Sequence, residues 1–128
     1  MKKLMNNFDF IFYKKRTKMQ KFKLEDMIRG WFVGNFSPCA FKSESVEVGI
    51  KSYKKGKCEQ RHFHKVATEL TAIISGKVKM NGTVYEKGDI VLIKPNESTD
   101  FEALEDSINV VVKLPAAKDD KYLGQSND

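Results

Sequence analysis

The stretch Gly56-Lys-Cys-Glu-Gln-Arg-His62-Phe-His64-Lys-Val-Ala-Thr-Glu69, continued through Leu70-Thr-Ala-Ile-Ile-Ser-Gly76, decides how this 128-residue chain is read. It holds both histidines of the protein, two residues apart, and a carboxylate five residues after the second. On an extended strand, residues i and i+2 point to one face. His62 and His64 then present their imidazoles side by side, about 6.5–7 Å apart at the backbone. If the chain turns and returns, Glu69 supplies an oxygen from the neighbouring strand. Two imidazoles and one carboxylate are a donor set that holds a divalent transition metal with open positions.

Outward from that stretch the texture is one of short strands and turn signals with little helical period. Val46, Val48 and Ile50 alternate with Glu47, Gly49 and Lys51, the pattern of a half-buried strand; Lys51 and Tyr53 are candidates to line the barrel, although alternation puts them on the solvent side. Gln60, His62 and His64 share one face of the next extended piece. Glu69, Thr71 and Ile73 share a face of the strand after it. Asn81-Gly82 between alternating apolar residues is a strong hairpin signal. Ile90-Val-Leu-Ile93 is apolar on both faces, and Ile108, Val110, Val112 and Leu114 share a face of the last strand before Pro115. Upstream, Leu24 to Arg29 reads as a short helix or turn stopped by Gly30. Trp31 to Phe36 reads as a covering strand or ordered loop. Some eight short strands at regular spacing predict an all-β sandwich or barrel.

The spacing Gly56-x5-His62-x-His64-x4-Glu69-x6-Gly76 resembles the first motif of the cupin superfamily at every defining position, and the resemblance spans about residues 46–114. It implies a cupin-type jelly-roll β-barrel in which His62, His64 and Glu69 are metal ligands, with Glu69 also a candidate base. Gly88-Asp89 opens a second motif in the expected place, but that motif is rewritten. Its first proline falls on Lys94, its glycine on Asn96, its ligand histidine on Thr99 and its closing asparagine on Ala103. Phe101 keeps the aromatic that often follows the histidine. Thr99 is a poor ligand because its hydroxyl stays protonated, and Asp100 faces the other way unless a bulge re-aims it. The implied site has three protein ligands for iron, manganese, nickel or zinc. Gln60, Thr99, Asp100 and Phe101 are candidate contacts to substrate or to the ligands.

Composition bounds the rest. One domain is expected over residues 24–118, after a basic extension (1–23) and before a flexible tail (119–128). The net charge of +6 is concentrated at the start: residues 1–23 carry eight positive charges and one negative, and the remainder fifteen positive against sixteen negative. The domain is therefore near neutral, and neither nucleic acid nor membrane is an expected partner. Phe8-Asp-Phe-Ile-Phe-Tyr13 is too short and too charged for a signal-peptide core, which leaves a cytoplasmic protein. Cys39 and Cys58 have neither metal-like nor redox-like spacing and are expected as free thiols.

Two function classes stay open at this level. One is a metal-dependent dioxygenase, isomerase or lyase acting on a small oxygen-rich metabolite such as a sugar or keto acid. The other is a non-enzymatic, metal-free cupin that binds or senses a small molecule. The resemblance also implies a homodimer formed through edge strands, with the N-terminal segment lying across the partner.

Overall fold

The computed structural model describes residues 18–127, so the first seventeen residues of the basic extension, and any contact they make with a partner, lie outside it. Two short 3-10 turns, Leu24–Asp26 and Ile28–Gly30, precede the sheets. Eleven strands follow: β1 (Trp31–Gly34), β2 (Phe41–Lys42), β3 (Glu47–Tyr53), β4 (Cys58–Phe63), β5 (Thr68–Ser75), β6 (Lys77–Met80), β7 (Thr83–Glu86), β8 (Ile90–Ile93), β9 (Thr99–Ala103), β10 (Ser107–Leu114) and β11 (Tyr122–Leu123). They build a six-stranded sheet, β2-β1-β3-β10-β5-β8, and a five-stranded sheet, β11-β4-β9-β6-β7. The β1–β2 pair is parallel and the others are antiparallel. The protein is all-β, with the two-sheet jelly-roll arrangement that the motif spacing implied.

Turn chemistry sets the strand order locally. Asn81 and Gly82 both have positive φ (49° and 79°), as a two-residue hairpin turn requires, and they close β6 on β7. Gly76 (φ 83°) lies where a Cβ would come within 2.3 Å of the Asp106 carbonyl and the Ser107 hydroxyl, so no other residue is accommodated without movement. Asn96, at the position where the second motif has glycine, takes the same left-handed conformation (φ 69°), which asparagine tolerates better than most residues.

The two inner faces divide the barrel into halves. At one end Ile73, Val78, Met80, Ile93, Phe101 and Ala103 form the buried apolar core, with Tyr53, Tyr85 and Val91 packed against it. At the other end the same strands turn polar: Glu69 and Thr71 precede Ile73 on β5, and Thr99 precedes Phe101 on β9. The apolar half supplies the burial that stabilises the fold. The polar half lines a cavity.

Two expectations are corrected here. The inward face of β3 is Gly49, Lys51 and Tyr53, not Val48 and Ile50, because the barrel interior at this end is polar. The segment from residue 119, expected to be loose, instead contributes β11 beside β4 and a buried Asp120.

Candidate metal and ligand site

The site begins with an irregularity in β4. Glu59 pairs with Phe101 and His62 with Thr99, so three steps on β4 face two on β9. That extra residue is a β-bulge, and it reverses which side chains face inward. Glu59, His62 and His64 line the cavity as a result. Gln60, expected on the histidine face, is exposed and outside it.

Both imidazoles are anchored at Nδ1 by a backbone carbonyl. His62 Nδ1 donates to the Gln60 carbonyl at 2.9 Å, and His64 Nδ1 donates to the Asp120 carbonyl at 2.6 Å. A carbonyl only accepts, so Nδ1 of each ring carries a proton and Nε2 is the nitrogen left to other partners. The rings meet edge to face, 5.5 Å between centroids. Asp120 also fixes the turn after His64, its carboxylate accepting from the backbone N–H groups of Lys65, Val66 and Ala67 at 2.9–3.2 Å. This clamp, 56 residues from His64 in sequence, had no local signal.

Glu69 approaches from β5, its Oε1 3.5 Å from His64 Nε2 and its Oε2 accepting from the Thr71 hydroxyl at 3.2 Å. Burial alone would raise the Glu69 carboxyl. The His64 contact, the charge of Lys113 and the Thr71 hydroxyl outweigh it and hold the group below the ordinary carboxylate value. His64 is 6% exposed, and its Nε2 has no hydrogen-bond partner among the described residues. Among the described residues no three His, Cys, Asp or Glu side chains stand close enough together to hold an ion. The residue types nonetheless suit one: His62, His64 and Glu69 line one cavity of about 310 Å³.

The remaining sequence candidates divide by face. Thr99, across from His62, is buried and lines the cavity, its hydroxyl donating to the Asp100 carbonyl at 2.7 Å. Phe101 is buried beneath it against Tyr53, with ring centroids 4.4 Å apart. Asp100 faces outward, accepting from the Asn81 N–H and lying 3.5 Å from Arg61. Cys39 and Cys58 are free, and neither lines the cavity.

Arg29, Asn109, Lys113 and Lys121 escaped sequence reasoning, and Lys51 and Tyr53, which alternation put on the solvent side, line the cavity as well. Tyr53 donates to Glu59 at 3.1 Å, and burial, followed by the Glu59 charge, pushes its phenol upward so that it stays protonated. Asn109, 1% exposed, leaves Oδ1 without a partner. Four cationic side chains, Arg29, Lys51, Lys113 and Lys121, line the cavity against two carboxylates, Glu59 and Glu69. Lys51 and Lys113 lie 5.3 and 4.9 Å from the centre of the Trp31 ring, so Trp31 belongs to the site and not only to packing. Lys51 Nζ donates to the Arg29 carbonyl at 2.7 Å. Burial lowers the Lys51 pKa; Glu59 opposes the shift, and Arg29, Lys113 and Lys121 add to it by repulsion. A larger, open depression between the 3-10 turns and β3 shares Arg29, Lys51, Tyr53 and Glu59 with the cavity and forms its approach.

No family model and no curated protein matches the chain. Solved structures do. An uncharacterized conserved protein with a double-stranded β-helix domain from Klebsiella pneumoniae is 20% identical, over 86% of this chain and 95% of that one, at a TM-score of 0.64. The RmlC-like cupin from Shewanella frigidimarina is 19% identical, over 59% and 71%, at 0.54. The DMSP lyase DddQ from Ruegeria pomeroyi is 14% identical, over 90% and 65%, at 0.60. At these identities the likeness is one of fold, and the fold is the double-stranded β-helix of the cupins.

Proposed function

We propose that this cupin-fold protein binds a divalent transition metal through His62, His64 and Glu69 and acts on a small, oxygen-rich, anionic metabolite such as a keto acid or sugar acid. One observation carries the metal reading. The buried Nε2 of His64 has no hydrogen-bond partner among the described residues and lies 3.5 Å from the Glu69 carboxylate, a gap that a cation held by both would fill. When bound, such an ion would polarise a substrate oxygen as a Lewis acid.

The chain's own residues do the rest. The carbonyls of Gln60 and Asp120 hold the two rings in the tautomer that frees Nε2. Lys51, Lys113 and Arg29 crowd positive charge at the mouth, which a bound carboxylate relieves. The carboxyl of Glu69 is held low, so it serves better as a charged ligand than as a base. Thr99 at the fourth-ligand position leaves room for a chelating substrate. The DMSP lyase among the structural neighbours is an example of this fold acting on a small molecule.

A second reading rests on the same pair. A proton on His64 Nε2 satisfies Glu69 without a metal, and the protein is then a metal-free binding module. Metal analysis of the purified protein separates the two. About one equivalent of transition metal, lost in His62→Ala and bound more tightly in Thr99→His, is expected; under ~0.1 equivalent, unchanged by His62→Ala, would sink the metal reading. Carboxylate ligands should raise the melting temperature where neutral isosteres do not, and Lys51→Ala with Lys113→Ala should abolish that difference.

A further inference from the structure

Cations collect in the cavity in a way that the rest of the domain does not share. Beyond residue 23 the chain carries fifteen positive and sixteen negative charges. The cavity is nonetheless lined by Arg29, Lys51, Lys113 and Lys121 against two carboxylates, Glu59 and Glu69. Two positive charges are left over, and a divalent ion in the site would add to that excess. Both carboxylates are already engaged, Glu59 by the Tyr53 hydroxyl and Glu69 by the Thr71 hydroxyl and His64. The ion pairs among the described residues are Lys54–Asp106, Arg61–Asp100 and His64–Glu69, so none of the four cavity cations is in one. Like charges gathered in a cavity repel one another and are screened less than charges on an open surface. An anionic ligand relieves that repulsion.

The four cations form two groups that share Trp31. Lys51 borders the open depression beside the 3-10 turns, with Arg29, whose carbonyl accepts from its Nζ at 2.7 Å. Lys113 and Lys121 border a second depression of about 390 Å³, which Arg29 and Trp31 also line and Lys51 does not. Lys51 and Lys113 lie 5.3 and 4.9 Å from the centre of the Trp31 ring, so their ammonium nitrogens are at most about 10 Å apart. The ring they share is fixed, because β3 has glycine at 49 and a Cβ there would come within 2.8 Å of the indole. Arg29 is fixed as well. It takes a left-handed conformation (φ 51°), and Gly30 after it (φ 82°) has no room for a Cβ beside the Ile50 carbonyl. Non-glycine residues held in that region at the rim of a cavity are the strain that ligand clamps store.

We propose that the substrate is a dianion with its two charges apart, a short dicarboxylic acid or its keto or hydroxy derivative. Lys51 and Arg29 hold one carboxylate, and Lys113 and Lys121 hold the other. This rests on the reading of the cavity as a site for small anionic metabolites, and narrows it. A charge-assisted bond of about 2.8 Å at each end leaves at most roughly 4–5 Å between the two acceptor oxygens, the span of a three- or four-carbon dicarboxylic acid. A monocarboxylate leaves one group of cations uncompensated. A phosphate puts both charges at one point, which suits a single nest of donors better than two separate groups.

Trp31 is the only tryptophan of the chain, so intrinsic fluorescence reads binding at the site itself. The titration compares succinate with its monoamide succinamate, which has the same length and one charge fewer. Succinate is expected to bind at least ~10-fold more tightly, with an advantage that shrinks as salt rises. Adipate, two carbons longer, should bind more weakly than succinate. Lys51→Gln and Lys113→Gln should each bring succinate down to the affinity of succinamate, while succinamate itself changes by less than ~3-fold. Lys79→Gln, at an exposed position on the other sheet, should change neither. Where Lys113→Gln lacks a cooperative melt, Lys121→Gln, at an exposed position, decides the same question. Equal affinities for succinate and succinamate overturn the proposal but leave carboxylate binding, and the reading beneath it, intact. No response to either, in fluorescence or in thermal shift, overturns both. An advantage of succinate that disappears when a chelator strips the protein, or that survives both lysine substitutions, assigns the second charge to another group and overturns the proposal. So does inorganic phosphate bound more tightly than succinate.

Discussion

Asp120 is the residue on which the site's rigidity turns. Its carboxylate takes three consecutive backbone N–H groups of residues 65–67, and its carbonyl holds the His64 ring. Ala67 is 3% exposed, so its N–H has no access to water if that carboxylate is lost. Asp120→Ala is therefore expected to cost about 1–3 kcal/mol, the penalty for leaving buried donors unpaired. The drop should appear in a denaturant titration as a lower midpoint with unchanged slope. The same substitution frees the loop that carries His64, so affinity for metal or ligand should fall as well. Metal or ligand affinity equal to that of the parent would show that the clamp does not position the ring.

Two glycines bracket the histidine segment, and they serve different ends. Gly56 has φ 91° with nothing within 4 Å of a built Cβ, whereas Gly76 has φ 83° and a Cβ there would strike the Asp106 carbonyl and Ser107. Gly56→Ala meets only backbone strain, about 1–2 kcal/mol. Gly76→Ala adds a collision with backbone that cannot swing aside, and should cost at least ~3 kcal/mol in total. Equal losses on unfolding would contradict the packing described for the β5–β6 turn. The strands between these glycines were legible because apolar residues alternate and turns carry Gly, Asn or Pro. Their faces were less so. The bulge between Glu59 and His62 shifts parity by one, exchanging Gln60 for Glu59, and no residue type in that stretch announces it.

Across the whole molecule, an apolar core and a polar cavity occupy opposite ends of one barrel. The apolar cluster around Ile73, Val78 and Phe101 holds the sheets together, and the cavity end keeps groups that a purely structural core would not. Asn109 is the clearest of these, with a buried Oδ1 that no described residue satisfies. Asn109→Leu, of similar branched shape, should stabilise the ligand-free protein by ~1 kcal/mol by removing an unpaired polar atom. It should also weaken carboxylate binding in the thermal-shift experiment. A destabilised Asn109→Leu protein would mean that this side chain is paired in solution and serves the fold.

The sequence by itself determined that the protein is all-β, through alternation and turn residues, and the resemblance of its histidine stretch to the first cupin motif implied a jelly-roll barrel with His62, His64 and Glu69 facing inward, as the structure places them. It could not determine what else lines that cavity. Lys51, Tyr53 and Asn109 face inward while Val48, Ile50, Val110 and Val112 face out, the reverse of the rule that apolar residues go inside. That rule assumes a dry interior and a wet exterior. Here one end of the interior is a polar cavity and the outer face of the sheet is apolar, so side-chain character alone points the wrong way. The Asp120 clamp and the cationic mouth come from segments far apart in the chain. Only the tertiary structure brings them to His64, because their contacts are made by closure of the barrel and not by neighbours in sequence.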